Sequence, residues 1–457
     1  MGFDLGAELS AVRGQGYELH SKYLNPQLPR TLRTIGFDKD YVRGEGAYLY
    51  DAEGNAYADF LAGFGVFAAG RSHPVIKKAL HDALDMDFAA WTQFDCQPIA
   101  GLLAQRLIAK TPGLDRVFFC SSGTEAVESA LKFARHATGR GRIIYAHHGF
   151  HGLTAGSLSV NGAEEFKRGF GPLLPGTEVP LGDLAALEAE LRKGDVAAMI
   201  IEPVQGHGVM MPPAGFLPEA AALLHKHGAL LICDEVQAGL GRTGKFYSYQ
   251  YDDVQPDIVT VAKALSGGYV PIGAMITTDK IYSSVYSSMD KLMVHSTTYK
   301  GGPLAMAAGL ASLAVIEDEG LVENAARRGT ELMRGLEGLQ AKYDLIADVR
   351  GRGLIIGIEF GRPSGMKARA GWAMLQKARV GLFAQMVVVA LFQRHRILTQ
   401  VSGDHMEVIK LIPPLMIGDD EVKLFLDGLA DVLEDASKGS GLMWDFGRTL
   451  IKQAVRA

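Results

Sequence analysis

The chain has 457 residues, 48% hydrophobic and 21% charged, enough apolar content to bury a large core. Lys and Arg total 46 against 51 Asp and Glu, a formal net charge of −5, which gives no basic footprint for nucleic acid. Three scattered cysteines, Cys96, Cys120 and Cys233, have neither metal nor redox spacing and favour a reducing, cytoplasmic setting. The opening MGFDLGAELS carries Asp4 and no basic-then-apolar pattern, so no secretory signal is expected. Gly6 stands where a myristoylation signal needs Ser or Thr. In YVRGEGAYLYDAEGNAYADF (41–60), two apolar and aromatic runs flank AEGN and predict a hairpin.

From about residue 76 to 330 strands alternate with helices. The expected strands are VFFC (117–120), RIIY (142–145), VAAMIIEPV (196–204), ALLICDEV (229–236), IVTVA (258–262) and IGAMITT (272–278). Helical patterns such as EAVESALKFARHA (125–137) and LPEAAALLHKHG (217–228) lie between them. Near-continuous apolar strands separated by helices predict an α/β fold with a mostly parallel sheet covered on both faces. Such sheets bind ligands at the carboxyl ends of their strands. Later come LIIGIEF (354–360) and VIKLIPPLMI (408–417) as expected strands. The apolar run VGLFAQMVVVALF (380–392) is too short to span a bilayer and reads as a buried helix, with a greasy substrate surface as the alternative. The expected division is 1–75, 76–330 and 331–457, the two end segments making a smaller domain.

Four features at expected strand ends carry chemistry. CSSGTEAVESALK (120–132) follows a strand and opens a helix, so Ser122, Gly123 and Thr124 can hold a phosphate at the helix N-terminus. Equally, Ser122 and Glu125 can be a capping box and nothing more. AHHGFHG (146–152) offers Phe150 to stack on a planar ligand. His147, His148 and His151 lack an acidic or thiolate partner at ligand spacing, so no metal is expected. Asp234 ends an apolar strand, where an acid is either a structural anchor or the partner of a cationic ring nitrogen, and Gln237 lies within reach of the same ligand. In VAKALSGG (261–268), Lys263 ends a buried run; it either escapes to solvent or serves as an amine of lowered pKa. A phosphate loop, a stacking ring, a buried acid and a lysine together match what pyridoxal phosphate requires.

The same residues resemble the class III aminotransferases, fold type I pyridoxal-phosphate enzymes. The resemblance runs from DFLAGFGVFAAGRSHP (59–74) through SSGTEAVESALKFAR, GFHG, IIEPVQG, CDEVQAGLGRTG, AKALSGG and HSTTYKGGPLAMAA to RGRGL and IPPLMI. It implies a seven-stranded-type central sheet in a large cofactor-binding domain and a smaller α+β domain from the chain ends. It implies Lys263 as the Schiff-base lysine and Asp234 as the partner of the pyridine nitrogen. Ser122, Gly123, Thr124, Phe150, His151, Glu202 and Gln237 are carried over as cofactor-binding residues. Thr298 matches a threonine that reaches the phosphate of the partner subunit, which implies a homodimer with shared sites.

Several positions depart from the family pattern. Lys410 in VIKLIPPL stands where many members have an arginine for a substrate carboxylate, and lysine lacks its bidentate fork. His207 stands where many have a glutamate that covers that arginine, and Gly302 replaces the usual asparagine. Phe64, Phe67, His207 and Lys410 are the expected substrate residues, with Phe64, Phe67 and 380–392 suggesting a hydrophobic pocket. The expected reaction is ping-pong transfer of an amino group between an amino-acid donor and an aldehyde, ketone or primary amine on a hydrophobic or extended skeleton. The alternatives are a decarboxylase or amino-group mutase on the same scaffold, or a non-catalytic cofactor-binding protein.

Overall fold

The computed structural model describes residues 2–90, 96–403 and 406–438. The AEGN hairpin forms as expected: β1 (Tyr41–Glu45), β2 (Tyr48–Asp51) and β3 (Ala56–Asp59) pair antiparallel in turn. Asp51 holds the turn, its carboxylate accepting from the Asn55 backbone N–H at 2.8 Å and from the Tyr57 hydroxyl at 3.0 Å.

Seven strands make the central sheet: β4 (Arg116–Cys120), β5 (Arg142–Ala146), β6 (Gly176–Val179), β7 (Val196–Ile201), β8 (Leu230–Asp234), β9 (Ile258–Val261) and β10 (Gly273–Thr277). Their spatial order is β4-β10-β9-β8-β7-β5-β6. Only β10 runs antiparallel to its neighbours. Every residue of β7, β9 and β10 is buried, which explains their unbroken apolar sequences. On one face lies the helix Gly123–Thr138, whose Ala126, Val127, Ala130 and Leu131 pack with Ile200, Ile232 and Met275. On the other lie the helices Phe216–Lys226 and Pro303–Asp318. Each fully buried large aliphatic side chain contributes about 1.5–3 kcal/mol. The edge strand β6, sequence GTEV, was not expected; it is short, and only Val179 is buried.

The remaining strands are β11 (Ile346–Arg352), β12 (Ile355–Phe360), β13 (Ile397–Leu398), β14 (Gln400–Val401) and β15 (Val408–Leu411). Four of them form an antiparallel sheet of order β11-β12-β15-β14. The fifth, β13, joins the N-terminal sheet, parallel to β3, with Ile397 opposite Ala58. The expected strand VIKLIPPLMI stops at Leu411, because Pro413 and Pro414 have no N–H to donate to a ladder.

The apolar run 380–392 is a core helix, Leu382–His395, with Phe383, Val387, Leu391 and Phe392 buried. It lies against Phe360 and Trp372, and its end is tied to the helix Asp419–Ser437 by His395 to Asp431 at 2.9 Å. Among the described residues no single helix is long and apolar enough to cross a membrane. The helices Met366–Ala378 and Leu382–His395 are long and apolar enough only when taken together, and they are bent by 109° at the break between them.

Candidate active site

Because β4, β5, β7, β8 and β9 all point the same way, their carboxyl ends share one edge of the sheet. The segments leaving that edge are 121–124, 147–152, 202–207, 234–237 and 262–263. They surround a cavity of about 1110 Å³. Segments 63–66, 268–272 and 400–403, with Lys410 from β15, complete the walls.

At one end is the start of helix Gly123–Thr138. The first amides of a helix have no partner within it. Ser122 is the cap: its hydroxyl accepts from the Glu125 N–H at 3.3 Å, while Glu125 reaches back to the Ser121 N–H at 2.8 Å. The capping residue Ser122 is therefore also part of the cavity wall. A side chain at Gly123 would strike Val236, with its Cβ 2.8 Å from Cγ1. Gly152 has φ +119°, and a Cβ there would lie 2.5 Å from Thr124 Oγ1. Thr124 Oγ1 is held by Thr154 at 2.7 Å and Ser157 at 2.6 Å.

Asp234, 4% exposed, is locked by three contacts. Oδ2 lies 2.7 Å from His151 Nδ1; Oδ1 accepts from the Thr260 hydroxyl at 3.0 Å and the Val236 N–H at 3.1 Å. Glu202 accepts from the Phe150 N–H at 2.9 Å and the Gly206 N–H at 2.8 Å, tying two wall loops together. Burial pushes its carboxyl up. Lys263 follows β9 in the left-handed region, φ 44°, a conformation that costs a non-glycine residue about 1–3 kcal/mol. Its amine faces the cavity; burial lowers its pKa, opposed by the charges of Asp234 and Glu202.

On the opposite wall, the buried Lys410 donates to the Gly206 carbonyl at 2.7 Å and to Gln237 Oε1 at 3.0 Å. Gln237 Nε2 in turn donates to the Phe64 carbonyl at 3.1 Å. Burial, reinforced by Lys263, brings the Lys410 amine down to about 7. His207 is lowered to about 4 by burial and by Lys410. Its ring lies 5.3 Å from Phe150 and 5.8 Å from Phe166, forming an aromatic wall.

Ser122, Gly123, Thr124, Phe150, His151 and Glu202 all line this one cavity, as do Asp234, Gln237, Lys263, Phe64, His207 and Lys410. Two expected residues do not. Phe67 sits behind Gly268, where a Cβ would come 2.4 Å from its ring, and stacks under the Arg71 guanidinium at 4.0 Å. Thr298 lies in the loop 292–302 and does not line this cavity. Nor does the 380–392 run reach it; that helix is packed inside the core. His147 pairs instead with Glu178 at 2.5 Å. Phe166, Tyr269 and the segment 400–403, which begins with β14, are wall residues that no motif predicts. They belong to no motif, and only the fold brings them to the sheet edge.

The class-III aminotransferase family model matches residues 35–433. An acetylornithine aminotransferase from Methanopyrus kandleri is 41% identical over 401 residues, covering 87% of this chain and 95% of that protein. The aminotransferase PigE from Serratia sp. is 34% identical over 460 residues, covering 93% of this chain; the chain spans about half of that relative, 54% of its length. A solved ornithine aminotransferase from Toxoplasma gondii, with pyridoxal phosphate at partial occupancy, superposes with a TM-score of 0.81 at 28% identity, covering 96% of this chain and all of that one.

Proposed function

The chain belongs to the class-III aminotransferases and has their fold type I architecture, and from that premise we propose how its own residues carry out transamination. When bound, pyridoxal phosphate supplies an aldehyde and an electron-withdrawing ring. The donor set fits it: a helix N-terminus, a flat aromatic, an anchored carboxylate and an amine of lowered pKa line one cavity. Ser122, Gly123 and Thr124 would hold the phosphate, and Phe150 would lie against the ring. Asp234, oriented by His151 and Thr260, would pair with the ring nitrogen. Lys263 Nζ would accept and return the proton moved in the reaction. The observation that carries this reading is Asp234 at the end of β8 and Lys263 just past the end of its parallel neighbour β9. The test is a donor screen that measures the keto product; carbon dioxide or an isomerised amine in its place would indicate decarboxylation or mutation instead.

The main substrate is an aldehyde, ketone or primary amine on a hydrophobic or extended skeleton, with a common amino acid as its partner. Phe64, Phe150 and Phe166 support this, and so does the absence of any arginine from the described lining. A charge-assisted hydrogen bond contributes about 1.5–3 kcal/mol. Lys410→Ala is therefore expected to raise KM for the carboxylate-bearing partner about 10- to 100-fold, with little change for an amine lacking a carboxylate. Two-substrate kinetics checks this; equal losses on both sides would refute the pocket assignment.

The working form is a homodimer. Met289, Leu292, Val294 and Tyr299 are 96%, 63%, 53% and 76% exposed, an apolar patch on the segment that carries Thr298. That segment is anchored to the phosphate-loop helix through His295, with Ser129 at 2.9 Å and Lys132 at 2.8 Å. Sedimentation at working concentration is expected to give a dimer, and a fully active monomer would refute shared sites. The assigned division is 76–330 as the large unit, with 1–75 and 331–457 as the small one; the β13–β3 pair supports it. The three unbridged cysteines support a cytoplasmic setting.

A further inference from the structure

A second, smaller cavity of about 280 Å³ adjoins the loops that wall the main one. No residue lines both, yet the two cavities divide the same loops between them. His147 and His148 line the small cavity, whereas Phe150 and His151 line the large one. Gln205 and Met210 line the small cavity, whereas Gly206 and His207 line the large one. The end of β6 and the residues after it, from Glu178 to Leu181, complete the small cavity.

Its polar groups are acceptors without enough donors. Glu178 Oε1 pairs with His147 Nδ1 at 2.5 Å, while Oε2 has no hydrogen bond or ion pair among the described residues. Gln205, 1% exposed, donates through Nε2 to the His147 carbonyl at 2.7 Å, and its Oε1 is buried without a partner. The His148 ring lies 3.8 Å from that of His147 and makes no hydrogen bond to a described residue. As a neutral imidazole it offers one more acceptor. No Lys or Arg lines this cavity, and Glu178 is the carboxylate in its wall. Val179, Leu181 and Met210 add an apolar surface.

We infer that this cavity is a second binding site, for a short alkyl cation carrying N–H donors (an alkylammonium or alkylguanidinium), and that its occupancy slows release of the cofactor from the main cavity. The positive charge meets Glu178, and the N–H groups meet acceptors that otherwise stay unpaired, which is costly in a buried place. The alkyl chain lies on Val179, Leu181 and Met210. Ligand sites span about 300–1,000 Å³, so a cavity at the bottom of that range takes a chain of few carbons. The coupling follows from the shared loops. Glu202 ties the Phe150 and Gly206 amides together, and Gln205 ties its loop to His147. A cation held by both Glu178 and Gln205 adds a further tie behind Phe150. The coupling rests on the cofactor reading of the main cavity; the binding does not.

The test uses the cofactor-loaded full chain and butylguanidinium, which is no amino donor for transamination. Calorimetry near neutral pH is expected to show a single site per chain. Butyltrimethylammonium, which has the charge but no N–H, and butanol, which has no charge, should each bind at least about tenfold more weakly. Glu178→Gln should lose at least about tenfold as well, and because its pair with His147 is largely exposed the variant should fold normally. Leu181→Phe fills the cavity but keeps the carboxylate, so it should abolish binding that mere attraction to a surface charge would retain. Saturating butylguanidinium should slow cofactor release at least about fivefold in wild type, the low end of a typical coupling, and not in Glu178→Gln. Both variants should keep wild-type transamination when the probe is absent. Equal binding of the three probes, binding that survives both variants, or unchanged cofactor release at saturation would overturn the inference. Glu178-dependent binding in a chain without transaminase activity would keep this site and sink the functional reading; transamination by a chain that does not bind the probe would do the reverse.

Discussion

Replacing Lys263 with alanine is expected to lower turnover by about 10²- to 10⁴-fold, the range for loss of a positioned acid–base group, and to abolish covalent attachment of the cofactor. The side chain lines the cavity, and burial lowers its pKa, which favours the nucleophilic form of the amine. The phosphate loop, Phe150 and Asp234 do not depend on it, so the variant should still bind pyridoxal phosphate noncovalently. The checks are borohydride trapping followed by peptide mapping, dialysis against free cofactor, and steady-state rates. Wild type should be trapped at Lys263 and the variant nowhere. An alanine variant with near-normal turnover would remove Lys263 from the chemistry. Its left-handed backbone adds a second expectation: Lys263→Gly relieves the φ strain, so that variant should be the more stable of the two while equally inactive.

Asp234→Asn is the second large effect. Removing the charge from a buried pair costs roughly 3–5 kcal/mol, which corresponds to about two to four decades in rate. Its geometry should change little, because an amide can keep bonds to His151 and Thr260 at the observed 2.7 and 3.0 Å. Cofactor affinity should fall far less than the rate of proton abstraction, since the phosphate contacts lie at the other end of the cavity. Single-turnover rates with a deuterated donor, set against equilibrium cofactor binding, separate the two quantities. A variant within a few-fold of wild type would mean that another acid faces the ring.

Much of this arrangement was legible in the sequence because the chemistry sits where the pattern changes. Apolar runs such as IVTVA and ALLICDEV mark strands buried on both faces, and Lys263 and Asp234 interrupt them at their ends. Motif residues were therefore gathered by one rule, the shared direction of parallel strands. The failures share a cause as well. GTEV was missed because an edge strand has little apolar content to announce it. Apolar character does not say which cavity a residue faces, so it points Phe67 to the pocket wall and leaves the 380–392 run open between the buried helix that it is and a substrate surface. Phe166 and the segment 400–403 line the cavity through tertiary placement alone. The extension of VIKLIPPLMI beyond Leu411 overlooked two prolines that the sequence itself displays.

The pairing of β13 with β3 sets a condition on biosynthesis. Ile397 and Leu398 leave the ribosome 339 residues after their partners Ala58 and Asp59. At about 5–20 residues per second, the parallel edge of β3 waits tens of seconds for its partner. An unpaired edge of that kind is a template for other chains. The nascent chain therefore has its longest window for misassembly on the N-terminal sheet. Slowing elongation before Ile397 should therefore cost yield.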